Sequence, residues 1–128
     1  MKRLTYMLII AAGVAIFAQA TTAQTVRVQI NQERQTLHGL TVKFLQLVED
    51  SRCPSDTNCV WAGNAKIKIA IRKANGASKT FEMNTGVKPQ SIAYGRYRIK
   101  LTDLTPHPRS NIRINRNGYV ATFMIRRI

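Results

Sequence analysis

The stretch "AKIKIAIRK" (65–73) alternates without a break, with Ile67, Ile69 and Ile71 on one side and Lys66, Lys68 and Arg72 on the other. Successive side chains of a strand point to opposite faces, so this pattern predicts a strand with one buried and one wet face, as in an antiparallel sheet. Asn75-Gly76 follows at once and is a strong hairpin signal. "KTFEMN" (79–84) then reads as the returning strand.

The same period recurs along the chain. "TVRVQI" (25–30) places Val26, Val28 and Ile30 on one face, and "LTVKFLQLVE" (40–49) is a longer, mostly buried run. "YGRYRIKL" (94–101) sets Tyr97, Ile99 and Leu101 inward and Arg96, Arg98 and Lys100 outward. "TPHPRSN" (105–111) carries two prolines and is excluded from helices and central strands. "IRI" (112–114), the turn "NRNG" and "YVATFMIRRI" (119–128) close the chain. After residue 23 no window carries a helical stripe of about ten residues or more. Seven or eight short strands joined by turns predict an all-β fold, a single antiparallel β-sandwich, with a small β-barrel as the alternative.

Residues 1–23 are expected to leave before folding. "MKR" is a positive start, an apolar run follows, and Ala18-Gln19-Ala20 presents small residues where a signal peptidase reads, with Ala23 a second cleavage point. The apolar run is shorter than the roughly 20 residues that span a bilayer. The reading is a cleaved secretory signal at 1–23 and one domain at 24–128, periplasmic or secreted, with no transmembrane segment in the mature chain. About 105 residues remain, enough for one modest core in which a covalent staple still matters.

Export decides how Cys53 and Cys59 are read. An even pair in an oxidising compartment forms one disulfide. A cysteine nucleophile would need a free thiolate and a base, and zinc would need about four ligands at recognisable spacing, neither of which this chain offers. Asp50, Asp56 and Asn58 supply oxygens near one loop but lack the acidic density of a calcium loop. No metal or cofactor is expected. Pro54 and "SDTN" suit a tight reversal, Trp61 reads as filling the edge of the core, and Gly63 marks a bulge or close backbone approach. Arg52 beside Glu49 and Asp50 reads as a surface ion pair, which contributes little.

The segment "EDSRCPSDTNCVWAGNAKI" resembles a signature of small exported bacterial proteins, in which a "DSRCP…C-V-W-A-G" segment lies between two strands. "FEMNTG" (81–86) and the closing "LTDLTPHPRSNIRINRNGYVATFMI" (101–125) are similar to later stretches of that family. His107 stands where the family more often has tyrosine. The resemblance implies export, the disulfide and an all-β domain. Asp50, Ser51, Arg52, Trp61, Gly63 and Asn64 match its motif, and no catalytic residue is carried over.

Charge is the remaining signal. The formal net charge of +14 falls to about +12 once Lys2 and Arg3 leave with the signal. After Gly95 eight basic residues are opposed only by Asp103. Such a field attracts polyanions without specifying a fold. Lys66, Lys68 and Arg72 on one strand, and Arg96, Arg98 and Lys100 on another, are the candidate binding residues, and they merge into one patch if those strands adjoin. The expected function is a non-catalytic binding module for an anionic cell-envelope partner. Nucleic acid is disfavoured, because aromatic residues do not interleave with the basic ones as a stacking platform requires. The alternatives are a protein-binding domain such as an exported peptidase inhibitor, built on loops 50–60, 84–90 and 105–111, and a purely structural domain with no anion site. An enzyme is not expected, since no serine, cysteine or carboxylate pair sits in a catalytic setting.

Overall fold

The computed structural model describes residues 13–16 and 23–128. The signal-sequence reading falls mainly on residues outside that range. Eight strands follow in order: β1 (Gln24–Gln29), β2 (Glu33–Gln35), β3 (Leu40–Asp50), β4 (Ala65–Lys73), β5 (Lys79–Asn84), β6 (Ser91–Tyr94), β7 (Tyr97–Thr105) and β8 (Val120–Arg127). They form two four-stranded antiparallel sheets, ordered β1-β8-β7-β6 and β2-β3-β4-β5. Neither sheet pairs with the other, so the fold is an open two-layer sandwich and not a barrel.

Period-two patterning explains the packing. Ile67, Ile69 and Ile71 of β4 are fully buried against Phe44 of β3, and from the opposite sheet come Val28, Ile99, Phe123 and Ile125. Each such side chain contributes about 1.5–3 kcal/mol when buried. The inner faces of both sheets thus make one core, and their outer faces point away from each other.

The local differences from the sequence reading have physical causes. β4 and β5 do form a hairpin, but five residues connect them, and the left-handed glycines among the described residues are Gly39, Gly63 and Gly95, not Gly76. "YGRYRIKL" is not one strand. Tyr94 pairs with Tyr97 across a two-residue turn, with Gly95 at φ +57° in the first turn position, where a tight hairpin favours glycine. Arg96 is therefore a turn residue. "IRI" makes only an isolated bridge, Arg109 to Ile112, and "NRNG" becomes a short 3-10 helix, Arg116–Gly118, capped by the Asn115 side chain. The three-residue β2 was not anticipated, because "ERQ" is polar throughout and carries no apolar period.

Candidate functional site

Strand register sorts the charges between the two outer faces. On the β1-β8-β7-β6 sheet, Arg98 lies directly opposite Arg126, and Lys100 lies between Ser91 and Met124. Arg27 joins the same face opposite Thr122. Lys88, Pro89 and Gln90 rise beside this face, enclosing a shallow groove of about 700 Å³. Four of its lining residues, Lys88, Arg98, Lys100 and Arg126, are basic and none is acidic. Asp103 lies opposite Thr122, in one cross-strand row with Arg27 and outside the groove, where it meets His107 at 3.2 Å.

The other outer face is close to neutral. Lys66 lies opposite Glu49, and Lys68 lies opposite Glu82. Arg72 reaches Glu33 at 3.3 Å. Three of the chain's six acids thus face the very residues whose spacing suggested a cationic stripe. Strands β4 and β7 belong to different sheets, so the two stripes do not merge. Of the expected patch, Arg98 and Lys100 share a face with each other. Arg96 lies in the turn beyond them, and Lys66, Lys68 and Arg72 are on the opposite side. Sequence reading missed Arg126, Lys88 and Arg27, which only sheet order brings alongside. Their one sequence signal was the outward phase of Arg126 and Arg27 in alternating strands.

The cysteine–tryptophan segment joins the two layers at one end. Cys53 and Cys59 are bonded, closing a loop between β3 and β4. Arg52 is not a surface residue: the side chains of Arg52 and Asp50 are only 9% and 12% exposed. The guanidinium also donates to the carbonyls of Leu104 and Pro106, across in the other sheet and its following loop. Burial pushes the Asp50 carboxyl up, but hydrogen bonds and charge from Arg52 outweigh this and hold it below the ordinary carboxylate value. Tyr119 donates to Asp50 at 3.3 Å, and burial together with the Asp50 charge raises the phenol above its usual value.

Ser51 Oγ donates to the Asn64 carbonyl at 2.9 Å, and the Asn64 amide donates to Asn84 Oδ1 at 2.9 Å. Gly63, at φ +74°, sits so close to the Ser51 carbonyl that an added Cβ would collide with it. Asp50, Ser51, Arg52, Gly63 and Asn64 therefore hold the strand ends together. Trp61 does not fill the core edge as expected: it is 65% exposed, beside a fully exposed Val60. It lies in the loop before β4, held clear of the core.

Hydrogen bonds gather the loops. Ser55 N–H donates to the Pro108 carbonyl at 2.9 Å, Ser110 N–H donates to Asp56 Oδ1 at 3.0 Å, and Gly86 N–H donates to Asn64 Oδ1 at 2.8 Å. Loops 51–64, 85–90 and 106–111 thus occupy one end of the sandwich. Among the described residues no group of three or more His, Cys, Asp or Glu side chains is placed to hold a metal ion, and no helix is long and apolar enough to cross a membrane. Comparison with protein families, curated proteins and solved structures finds no match to this chain.

Proposed function

We propose that this protein is an exported, non-catalytic binding module that holds a phosphate- or sulfate-bearing polymer of the cell envelope against the outer face of the β1-β8-β7-β6 sheet. The observation that carries this reading is the direct cross-strand pair Arg98–Arg126, flanked by Lys100 and Lys88, with no carboxylate in the groove. Like charges directly opposite on a sheet destabilise it, so an anion bridging them recovers stability as it binds. A polymer adds counterion release, which makes retention steeply salt-dependent. Resemblance to the small exported proteins with the same Cys–Trp signature supports the location.

The test is retention on a sulfated-polymer column across a salt gradient. A triple variant, Arg98→Gln/Lys100→Gln/Arg126→Gln, is expected to elute early. The matched variant Lys66→Gln/Lys68→Gln/Arg72→Gln removes as much charge from the near-neutral face and is expected to elute close to the wild type. Equal elution of the two variants would reduce the reading to net charge alone.

One observation favours a second reading, a protein-binding domain of inhibitor type. The three loops gather at one end with Trp61 exposed on a disulfide-closed support. Exposed tryptophans on rigid loops are frequent anchors of protein interfaces. Activity of this kind would survive the arginine changes and be lost in Trp61→Ala.

A further inference from the structure

The loop end of the sandwich presents apolar side chains to water. Val60 is fully exposed, Trp61 is 65% exposed and Val87 is 46% exposed. Single exposed apolar residues are ordinary, but a group of them marks a surface made for contact. The backbone holds Val60 and Trp61 outward. Cys59 before them is fixed by the disulfide, and Cys53 N–H donates to the carbonyl of Ala62 after them at 2.8 Å. That leaves the pair too little chain to fold back onto the core.

Gly86 brings Val87 to the same end. Its N–H donates to Asn64 Oδ1 at 2.8 Å, and its α-carbon lies so close to the Gly63 carbonyl that a Cβ there would collide with it. Asn84 N–H donates to the Pro89 carbonyl at 2.9 Å and Gln90 Nε2 to the Thr85 carbonyl at 3.0 Å, so the loop is braced from within. The same loop carries Lys88, which lines the cationic groove with Arg98, Lys100 and Arg126. The apolar tip and the groove are therefore neighbours. The one carboxylate of the three loops is Asp56. It accepts from the Ser110 N–H and hydroxyl and lies beside the charge of Arg109, while Lys88 faces no acid in the groove.

An apolar tip beside a cationic groove suits the surface of an anionic membrane. Tryptophan settles at the boundary between headgroups and acyl chains, and anionic headgroups attract basic residues that come within a screening length. Binding at such a surface grows with buried apolar area and with electrostatic attraction together. We infer that Val60, Trp61 and Val87 form a docking tip that enters the interface of an anionic lipid surface, with Lys88 and the adjoining groove against its phosphates. This rests on the anion-binding face proposed above and goes beyond it by naming lipid headgroups as the source of the phosphate.

The protein is used oxidised and after export, its mass confirming that the apolar N-terminal run is gone. The probes are vesicles of equimolar phosphatidylglycerol and phosphatidylcholine, and vesicles of phosphatidylcholine alone. At low salt the mixed vesicles are expected to sediment the protein, shift the Trp61 emission to the blue and shield it from iodide. Phosphatidylcholine alone should do none of these. Val60→Gln and Trp61→Ala, both at exposed positions, should keep the wild-type melting temperature and the retention on sulfated polymer. Each should weaken vesicle binding by about tenfold or more. Arg98→Gln/Lys100→Gln/Arg126→Gln should lose vesicles and polymer alike. Mixed vesicles that bind the protein but leave Trp61 open to iodide would overturn the docking tip and leave the tryptophan to a protein partner. So would unchanged vesicle affinity in both tip variants, or equal binding to the two kinds of vesicle. Retention by the sulfated polymer without binding to vesicles would sink this inference alone, whereas loss of both would sink the anion-binding face with it.

Discussion

Arg52 Nε and Nη2 each donate to a separate carboxylate oxygen of Asp50, both at 2.8 Å, forming a two-point clamp. The same guanidinium holds two carbonyls of the facing sheet and its loop, so one residue spans both layers. Removing one member of a buried pair leaves the other charged and unpartnered, which costs about 3–5 kcal/mol. Arg52→Ala is expected to lose that much in urea denaturation. Arg52→Lys should recover little, because an ammonium cannot reproduce the planar fork. A lysine variant as stable as the wild type would show that charge alone suffices.

The same clamp gives an acid limit. Asp50 titrates lower in the folded chain than its ordinary value of 3.8. Its contribution is therefore fully present above that value and is lost as pH falls through the lowered one. Stability measured from pH 5 downward should drop most steeply below about 4. Asp50→Asn should be less stable at neutral pH but flatter in acid. Asp56, whose carboxyl is also lowered, mainly by the Ser110 hydroxyl, leaves a residual slope of the same sign. An unchanged slope in Asp50→Asn would remove the clamp as its source.

The disulfide closes a ring over a sequence separation of 6. In the chain-entropy picture so short a ring contributes about 2 kcal/mol. Cys53→Ser/Cys59→Ser should therefore lower the denaturation midpoint while leaving both sheets formed. Amide exchange should rise at Ser55 and Ser110, whose bonds depend on the loop's shape. Full retention of stability would mean the strand-end hydrogen bonds hold the loop unaided.

How much was legible follows from what each feature depends on. Ile67, Ile69 and Ile71 were readable because alternation is a local property, and burial in the structure follows it. Arg98 and Lys100 were readable as outward residues for the same reason. Their company was not: Arg126 meets Arg98 only because β8 pairs with β7, a relation between residues far apart in sequence. The neutralisation of Lys66 and Lys68 by Glu49 and Glu82 depends on register in the same way. Arg52 was misplaced at the surface because its carbonyl partners, Leu104 and Pro106, come from the opposite sheet and the loop that follows it.

Trp61 gives an independent check on the stapled loop. As the only tryptophan, it reports directly by fluorescence. At 65% exposure it should emit as a hydrated indole and be quenched efficiently by iodide in the native state. Trp61→Ala should change stability by no more than about 0.5 kcal/mol, as for a surface site. A blue, quencher-resistant emission would return the side chain to the core edge.

The Arg98–Arg126 pair predicts a conflict between stability and binding. Both are on the outer face of adjacent strands in direct register, with Lys100 and Lys88 nearby and no acid in the groove. Direct like-charge pairs on a sheet destabilise by a few tenths of a kcal/mol to about 1 kcal/mol. At low salt Arg126→Gln should therefore melt higher than the wild type, and the gain should shrink toward zero near about 1 M salt, where the screening length falls to about 3 Å. Sulfate or phosphate should raise the wild-type melting temperature more than chloride at equal ionic strength, and should raise that of the variant less. If the variant gains nothing at low salt, the two guanidiniums are splayed into solvent and do not frame a common anion. If it gains stability but keeps full retention on the sulfated polymer, the repulsion is real and the polymer is held elsewhere on the face, with Lys88 and Arg27 the next residues to change.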